Sequence, residues 1–322
     1  MKAAVVFQKD ELPKFTSDFE EPQPTHENEV IITIKASAIK NLDKLRASGN
    51  HYSVKDANKP FVVGSDGVGY LDNGQRAYAI GLSGMMAEKA VVNKDEVLPI
   101  PDGISDTLAA ALPNAVMGSS LALICRAKLQ QGEVVLINGA TGVTGKLDIQ
   151  LAKHYGARKV VATGRNEQVF DELIRLGADE VIPLNTSESD FIAAVKRLHQ
   201  ESSVDVVLDY LWGPSAEHIL KALSGNIGYS HRTRFVTLGG LAGDKITLSS
   251  STLRGTDIQL LGSGLGTWTD NDMKFLFSDI LPEVFQLALE GKIKMELVEK
   301  SLEEIEEAWR MTVGGKRIVV RI

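Results

Sequence analysis

The chain has 322 residues, of which 43% are hydrophobic and 24% are charged, and its formal net charge is −7. This composition is typical of a globular protein with room for two domains, and the acidic balance argues against binding to nucleic acid or an anionic membrane. The single cysteine, Cys125, excludes an internal disulfide and a metal site built from several cysteines. No apolar run approaches the roughly 20 residues of a membrane helix, and the N-terminal apolar run is too short for a secretory signal. We therefore expect a cytoplasmic protein.

The first 112 residues predict a β-rich domain. Residues 5–7 and 30–38 are β-branched runs with partial alternation, and residues 85–92 resume the same pattern. Glycines interrupt the apolar stretch at 60–70, where they allow bulges or sharp corners, and the Asp-Asn-Gly at 72–74 predicts a turn between two strands. Because helices do not alternate with these strands, we expect a barrel-like domain.

The pattern changes after Pro101. A helix is predicted at 105–111 with Ser105 as its N-cap, Pro113 is expected to interrupt it, and a second helical segment covers 118–128. From residue 134 onward strands and helices alternate, which implies a parallel sheet covered by helices on both faces. The predicted strands are 134–138, 159–163, 180–183, 204–209, 235–238 and 258–262, and the predicted helices are 146–155, 167–176, 188–201 and 214–223.

The last 60 residues or so predict a return to the first domain. A glycine-rich loop that begins at 264 is expected to enter a helix, and two further helices are predicted near 282–290 and 302–311. The final strand, 317–322, has no place in the parallel sheet and could pair with the first domain. The prediction is an α/β protein with a doubly wound Rossmann domain at 116–264 and a discontinuous β-rich domain at 1–115 and 265–322.

Residues 134–145 carry the strongest local signal. An apolar run predicts a buried parallel strand, and Gly139, Gly142 and Gly145 follow it just before a helix. Glycine lets the backbone turn tightly and approach a pyrophosphate, while the N–H groups and the dipole at the helix start favour the anion. A tight strand–helix turn alone would also need some of these glycines, but the flanking strand and helix favour a dinucleotide.

The end of the second strand of the predicted sheet selects between NAD and NADP. An acidic residue there binds the ribose 2′-hydroxyl, whereas a cation accommodates a 2′-phosphate. Here the strand ends in Thr163, Gly164, Arg165 and Asn166, without a carboxylate. Arg165 offers a planar fork of donors suited to phosphate, so we predict NADPH as the cofactor. The alternative is that Arg165 is a solvated loop residue.

An ordered set of short motifs runs through nearly the whole chain. They lie at 29–30, 36–39, 60–67 (PFVVGSDG), 109–113 (AAALP), 135–142 (VLINGATG), 176–182, 204–209 and 315–319. With this set the chain resembles the medium-chain dehydrogenase/reductase superfamily, specifically its zinc-free quinone oxidoreductase-like branch. The resemblance implies a GroES-like catalytic domain, a Rossmann cofactor domain, an active site in the cleft between them, and homodimers formed through the cofactor domains.

The sequence can be tested directly for the zinc ligands of this superfamily. Zinc-dependent members use a cysteine soon after the second strand, a His-Glu pair near residue 65 and a lobe with four cysteines. Here Lys40 and Asn41 occupy the first position, Gly-Ser-Asp at 64–66 occupies the second, and the lobe is absent. We therefore predict no metal site. Without a Lewis acid, reduction of an activated acceptor, a quinone or the C=C bond of an α,β-unsaturated carbonyl, is favoured over alcohol oxidation.

Asn41 and Tyr52 are the candidate catalytic residues that the resemblance implies. Asn41 matches an asparagine that in relatives lies near the nicotinamide and the substrate, and Tyr52 follows Gly49 in a loop that in relatives faces the cleft. The amide could donate a hydrogen bond to a carbonyl, and the phenol could donate a hydrogen bond or a proton. A turn-forming asparagine and a packed loop tyrosine are the alternatives.

Cofactor contacts are expected along the glycine turn and at the ends of the later strands. Gly239 and Gly240 are expected to let the chain pass the nicotinamide, with Leu238 near its carboxamide. Relatives often place a threonine in the helix near the nicotinamide, and Ser119 is the closest substitute here. The predicted cofactor-binding residues are Ser119, Gly139, Ala140, Thr141, Gly142, Val143, Thr144, Gly164, Arg165, Asn166, Leu211, Leu238, Gly239, Gly240 and Ser263.

Five other residues receive weaker predictions. Lys40 and Asp43 are secondary catalytic candidates, and Asp66 is expected to be structural. Trp268 is expected either to cap the substrate or to anchor its loop. Cys125 lies among leucines in a predicted helix and is expected to be a small buried hydrophobe.

The sequence therefore predicts an NADPH-dependent, zinc-independent reductase of a small-molecule quinone or enone. Two alternatives stay open. One is an NADPH-binding sensor or structural protein with little turnover, and the other is an alcohol dehydrogenase, which the missing zinc ligands disfavour. No nucleic-acid or membrane partner is expected, because the chain has no basic run.

Overall fold

The computed structural model describes residues 1–8, 11–49, 59–224 and 231–322. The chain divides into two compact units, of which the first contains residues 1–114, 277–291 and 295–322 and the second contains residues 115–276 and 292–294. Residues 265–276 are therefore grouped with the second unit, whereas the sequence assigned them to the first domain.

The described residues form fifteen strands and ten α-helices. The strands are β1 (Ala3–Val6), β2 (Lys14–Thr16), β3 (Glu29–Ala38), β4 (Phe61–Val62), β5 (Asp66–Leu71), β6 (Arg76–Gly81), β7 (Lys89–Pro99), β8 (Val134–Asn138), β9 (Lys159–Gly164), β10 (Glu180–Pro183), β11 (Val206–Asp209), β12 (Thr233–Thr237), β13 (Ile258–Gly262), β14 (Leu297–Ser301) and β15 (Arg317–Arg321). The helices are α1 (Asn41–Ala47), α2 (Asp106–Ser120), α3 (Val143–His154), α4 (Phe170–Arg175), α5 (Glu188–Ser202), α6 (Gly213–Leu223), α7 (Ser250–Gly255), α8 (Asp270–Phe275), α9 (Leu281–Leu289) and α10 (Ile305–Arg310).

The first unit is built on a six-stranded sheet with the order β14-β15-β3-β5-β6-β7. β3 also pairs with β7, so that β3, β5, β6 and β7 close into a ring, as the expected barrel-like domain requires. The predicted turn at 72–74 joins β5 to β6, and Gly74 there has a φ of +81°, which favours glycine. The ring encloses an apolar core that includes Ile32, Ile34 and Met85.

The C-terminal strand does return to the first unit. β15 pairs antiparallel with β3, with Val319 opposite Ala38. β14, which the sequence did not predict, pairs parallel with β15 and forms the edge of the sheet. The chain thus completes the first unit with its last residues, as the discontinuous β-rich domain requires.

The second unit contains a six-stranded sheet with the order β10-β9-β8-β11-β12-β13, in which every neighbouring pair is parallel. This confirms the doubly wound Rossmann sheet. Its two central strands, β8 and β11, are buried throughout, as expected for strands covered on both faces. Because the strands are parallel, their carboxyl ends meet at one edge of the sheet and their amino ends at the other.

The expectation that Pro113 interrupts a helix is wrong. α2 runs through Pro113 as one helix and continues as a π-helix at Leu121–Arg126. A proline inside a helix removes one hydrogen bond and costs about 3 kcal/mol, but almost every apolar side chain of α2 is buried, and this packing offsets the loss. The combined helix, Asp106–Arg126, has 21 residues and is apolar enough to cross a membrane by length and composition; 72% of its most apolar window is buried in the protein, as in a core helix.

Candidate functional site

The predicted glycine turn lies at the carboxyl edge of the parallel sheet. Gly139 directly follows β8 and has a φ of +93°, a left-handed conformation that side chains rarely adopt. A Cβ atom at this position would lie 2.9 Å from Cγ of Leu211, which follows β11. Gly139 therefore combines a tight turn with close packing against the neighbouring strand end.

Gly142 and Gly145 have different surroundings. A Cβ atom on Gly145 would lie 2.5 Å from the backbone Cα of Ala140, so this glycine lets α3 pack closely on the turn. A Cβ atom on Gly142 would meet nothing within 4 Å. Gly142 is also the N-cap of α3, and no side chain caps the helix there. The start of the helix thus faces open space with its N–H groups uncapped, an arrangement that fits an anionic group such as a pyrophosphate.

Buried hydrogen bonds hold the turn in place. Gly139 N–H donates to Oγ1 of Thr163 (3.1 Å), whose hydroxyl donates to Oδ1 of Asn138 (2.8 Å). Asn138 Nδ2 donates in turn to Oδ1 of Asp209 (2.7 Å). Burial raises the pKa of Asp209, and the hydrogen bonds from Asn138 and from the backbone of the following loop oppose that shift. This chain of contacts ties together the carboxyl ends of β8, β9 and β11. These contacts were not predicted from the sequence, although a polar residue that ends an apolar strand is the signal that could have revealed them.

The end of β9 lies beside the glycine turn. Gly164 packs so closely that a Cβ atom would approach Thr141 Cγ2 to 2.3 Å. Arg165 follows it and is exposed. Within the described ranges Arg165 makes no hydrogen bond or ion pair, so its guanidinium group is available to a ligand. Asn166 is occupied differently, because its side chain accepts a hydrogen bond from the backbone N–H of Gln168 (3.2 Å).

Most remaining predicted cofactor residues lie at the same edge. Val143 and Thr144 form the first turn of α3. The N–H groups of Leu238 and Gly239 donate to the carbonyl of Asp209, at 2.7 and 3.3 Å. Gly240 follows them and is exposed.

Ser263 and Trp268 are joined by a hydrogen bond. Ser263 is buried at the end of β13, and its hydroxyl accepts from Nε1 of Trp268 (3.2 Å). This bond makes the indole an anchor of its loop, which was one of the two roles expected for it.

Ser119 is placed differently from the other predicted cofactor residues. It is fully buried in α2 and faces Asp148 of α3 and Tyr210. The three side chains act on one another, but none of their oxygens has a well-formed hydrogen bond in the described part of the chain. Burial raises the pKa of Asp148 to about 7, and the two hydroxyl groups only partly oppose this shift. We call these three residues the Asp148 cluster, which was not predicted from the sequence.

The candidate catalytic residues belong to the first unit. Asn41 is the first residue of α1 and is exposed. Tyr52 lies outside the described residues. Lys40, directly before the helix, is buried and forms a short ion pair with Asp66. Nζ of Lys40 also lies 3.5 Å from Oδ2 of Asp43. The same oxygen accepts a hydrogen bond from the backbone N–H of Lys40 (2.9 Å).

Further groups complete this buried network, which we call the Lys40 cluster. Tyr78 donates its hydroxyl to Oδ2 of Asp66 (2.7 Å), and burial together with Asp66 raises the pKa of Tyr78 well above its ordinary value. Ser37 donates to the backbone carbonyl of Asp66 (2.7 Å). Arg317 of β15 is buried nearby, and burial lowers its pKa while Asp66 and Asp43 oppose that change. Asp66 is thus structural, as expected, because both its oxygens are bonded to protein groups.

No group of three or more histidine, cysteine, aspartate or glutamate side chains in the described ranges is arranged to hold a metal ion. Cys125, expected to be buried, is only partly buried. Burial and the nearby Asp272 raise its pKa to about 11, so it remains a thiol at neutral pH.

The chain is similar to known dehydrogenases and quinone oxidoreductases. The chain matches the zinc-binding dehydrogenase family over residues 144–280. It is 30% identical to the quinone oxidoreductase of Rattus norvegicus over 237 residues, covering 70% of this chain and 70% of the relative. The quinone oxidoreductase of Sus scrofa is 28% identical over 260 residues, which are 77% of this chain and 75% of the relative. The quinone oxidoreductase of Thermus thermophilus, solved alone and in complex with NADPH, superposes with a TM-score of 0.79 at 25% identity over the full length of both chains.

Proposed function

The chain belongs to the quinone oxidoreductase-like branch of the medium-chain dehydrogenase/reductase superfamily, and on that premise we propose that it is an NADPH-dependent, zinc-independent reductase. Its acceptor is a small quinone or the C=C bond of an α,β-unsaturated carbonyl. One observation carries the proposal: the glycine turn of the second unit ends at Gly142 in open space, at the uncapped start of α3. Family membership makes the chain an oxidoreductase; cofactor preference and acceptor are our inference.

The residues from Gly139 to Thr144 are suited to hold the pyrophosphate. Backbone N–H groups at the start of α3 supply donors and the positive end of the helix dipole, and no side chain competes for them. Leu211, Leu238 and Gly239 are suited to line the remainder of the dinucleotide along the same edge. The bound NADPH supplies the hydride, and the task of the protein is to orient the acceptor and to donate a hydrogen bond to its carbonyl. Asn41 and Tyr52 remain our candidates for that donor.

Arg165 supports the choice of NADPH over NADH, because it is an exposed cation at the end of β9 that pairs with no residue the structure describes. We expect Arg165→Asp to weaken NADPH binding by about tenfold or more and NADH binding by less than about threefold, since only NADPH carries the 2′-phosphate. Fluorescence titration with both nucleotides measures this. Arg175→Asp, an exposed arginine of α4, is the matched control. Equal losses with both nucleotides would contradict the assignment.

The Lys40 cluster supports a reaction without zinc. Asp66 lies where zinc-dependent members hold metal, and its carboxylate already bonds to Lys40 and Tyr78. The match to the zinc-binding dehydrogenase family begins at residue 144, so it does not include these positions. A quinone or an enone is activated by its own carbonyl group. Its reduction therefore fits this site better than alcohol oxidation does.

We also propose that the chain forms a homodimer through the second unit and that it is cytoplasmic. β13 is the edge strand of the parallel sheet, and its Leu260 side chain is 38% exposed. An exposed apolar edge strand is a template for pairing with another chain, here a second copy. Sedimentation velocity of the full chain measures its mass directly, and a monomer at micromolar concentration would contradict the dimer.

The experiment that tests the reaction follows NADPH absorbance against a benzoquinone, an aromatic o-quinone, a 2-alkenal and a cyclic enone, each with and without chelator. We expect turnover that survives the chelator, and the most active compound identifies the acceptor class. Turnover that the chelator abolishes would contradict the zinc-independent mechanism. Tight NADPH binding with no turnover on any compound would instead favour a sensor.

A further inference from the structure

The amino edge of the parallel sheet in the second unit carries a cavity of about 630 Å³. Glu133 precedes β8 and Asp205 precedes β11, while Arg234 and Gln259 are the second residues of β12 and β13; all four line the cavity. The glycine turn lies at the carboxyl ends of the same strands, so this amino-edge cavity is separate from the dinucleotide site. Its size falls in the range of small-molecule sites, roughly 300–1,000 Å³.

The acidic side chains of the amino-edge cavity are already paired. Glu133 forms an ion pair with Arg234 (2.5 Å), and Asp205 contacts Nε2 of His231 (2.6 Å). Arg126 and Lys128, which also line the cavity, have no hydrogen bond or ion pair from their side chains to any residue that the structure describes. Arg126 and Lys128 therefore add positive charge to the cavity, on a chain whose net charge is −7, and the carboxylate of Asp272 acts electrostatically on Arg126.

Two arginines of the cavity have buried donors without acceptors. Nε and Nη2 of Arg126 and Nε of Arg234 are buried and bond to no group in the described ranges. Leaving a charged donor unsatisfied is costly, and an acceptor-rich anion is what such donors lack. Arg126 as a whole is only partly buried, and it lines the cavity.

The turn that carries Lys128 is held in a strained conformation. Lys128 has a φ of +51°, in the left-handed region that residues other than glycine rarely adopt. Arg234 Nη1 donates to the carbonyl of Ala127 (2.7 Å), and Gln130 Nε2 donates to the carbonyl of Lys128 (2.7 Å). These bonds come from cavity-lining side chains and fix the turn beside Arg126. Backbone strain of this kind concentrates at ligand-binding positions.

We propose that the amino-edge cavity binds a small dianion, a phosphate group or a dicarboxylate, through Arg126 and Lys128. The guanidinium group of Arg126 and the ammonium group of Lys128 each supply positive charge and hydrogen-bond donors to such an anion. This site is independent of the dinucleotide and of the proposed reaction, because it lies at the opposite edge of the sheet.

Thermal unfolding of the full chain tests the site with inorganic phosphate and with malonate, each compared with sodium chloride at equal ionic strength. For a millimolar site we expect 20 mM of the preferred dianion to raise the midpoint by roughly 4 °C over chloride. The stronger of the two probes identifies the ligand chemistry. Arg126→Met and Lys128→Met should each lose most of the shift, judged against the midpoint of the same variant without ligand.

Two control variants locate the effect. Arg165→Met removes the cation at the carboxyl edge and should keep the shift, as should Arg175→Met on the surface of α4. The proposal is overturned if neither dianion exceeds chloride, if both cavity variants keep the full shift, or if Arg165→Met alone abolishes it. Lys128 is exposed, so its variant keeps the test valid even if Arg126→Met does not fold.

Discussion

The two units bury ionisable side chains in opposite ways. In the Lys40 cluster of the first unit, the carboxylate of Asp66 bonds to a buried ammonium group and to the hydroxyl of Tyr78. In the Asp148 cluster of the second unit, a fully buried carboxyl group has the hydroxyls of Ser119 and Tyr210 nearby, and no cation of the described part of the chain pairs with it. Both lie beside the candidate site residues of their own unit.

The difference lies in what compensates each buried carboxyl group for its lost hydration. A cation at contact distance compensates for lost hydration, whereas neutral hydroxyl groups do so only in part. Burial accordingly raises the pKa of Asp148 from 3.8 to about 7. The second unit should therefore show a pH dependence of stability near neutrality.

The largest effect is expected at Lys40. Lys40→Met removes the cation and leaves Asp66 and Asp43 buried without their partner, so the free energy of unfolding should fall by about 3–5 kcal/mol. Urea denaturation measures this. Lys44→Met in the same helix is the matched control and should cost less than about 1 kcal/mol, since Lys44 belongs to no ion pair in the described ranges. If Lys40→Met lowers the free energy of unfolding no more than Lys44→Met does, Lys40 does not compensate for the burial of Asp66 and Asp43.

Asp148→Asn should act in the opposite direction. A carboxyl group with a raised pKa takes up a proton on folding. The protein therefore has its full stability below pH 3.8, where this group is neutral in both states, and it loses stability as the pH rises to about 7. Asparagine is neutral throughout, and we expect it to stabilise the protein at pH 8 by at most about 4 kcal/mol and by clearly less at pH 5. Unfolding curves at both pH values measure the difference. Asp171→Asn, exposed in α4, is the control. An equal effect at the two pH values would show that Asp148 does not titrate in this range.

A matched pair of tyrosines gives the smallest and sharpest comparison. Tyr78→Phe removes a 2.7 Å hydrogen bond to the carboxylate of Asp66 and should cost about 1.5–3 kcal/mol. Tyr210→Phe removes a hydroxyl group without a well-formed bond and should cost less than about 1 kcal/mol. Both are measured by denaturation at pH 7. A larger cost for Tyr210→Phe than for Tyr78→Phe would contradict this comparison. It would mean that the Tyr210 hydroxyl stabilises the Asp148 cluster more than the Tyr78 hydroxyl stabilises the Lys40 cluster.

Local patterns explain what the sequence could predict. The alternation of strands and helices, the glycine turn and Arg165 are set by residues close in sequence, and β8, β10 and β13 have the predicted bounds. The final strand was also predicted, because its apolar pattern had no place in the parallel sheet.

The remainder depends on tertiary contacts. Lys40 and Asp66 lie 26 residues apart and meet only when β5 packs beside the start of α1. Nothing local to Asp148 distinguishes it from a solvated helix residue, and α2 continues through Pro113 because the fold buries it. Ser119 was predicted from a family position, whereas the structure buries it against Asp148.

We expect the glycine turn of the second unit to bind the dinucleotide, and the variant Gly142→Val is the sharpest test of that binding. Gly142 has a φ of −82° and open space around its Cα atom, so valine should fold without strain and project into the place of the pyrophosphate. We predict an unfolding midpoint within about 2 °C of the natural chain and NADPH binding weakened by about a hundredfold, measured by fluorescence titration. Gly145→Ala, whose Cβ would clash with Ala140, should instead destabilise the fold. A Gly142→Val protein that binds NADPH as tightly as the natural chain would contradict the account.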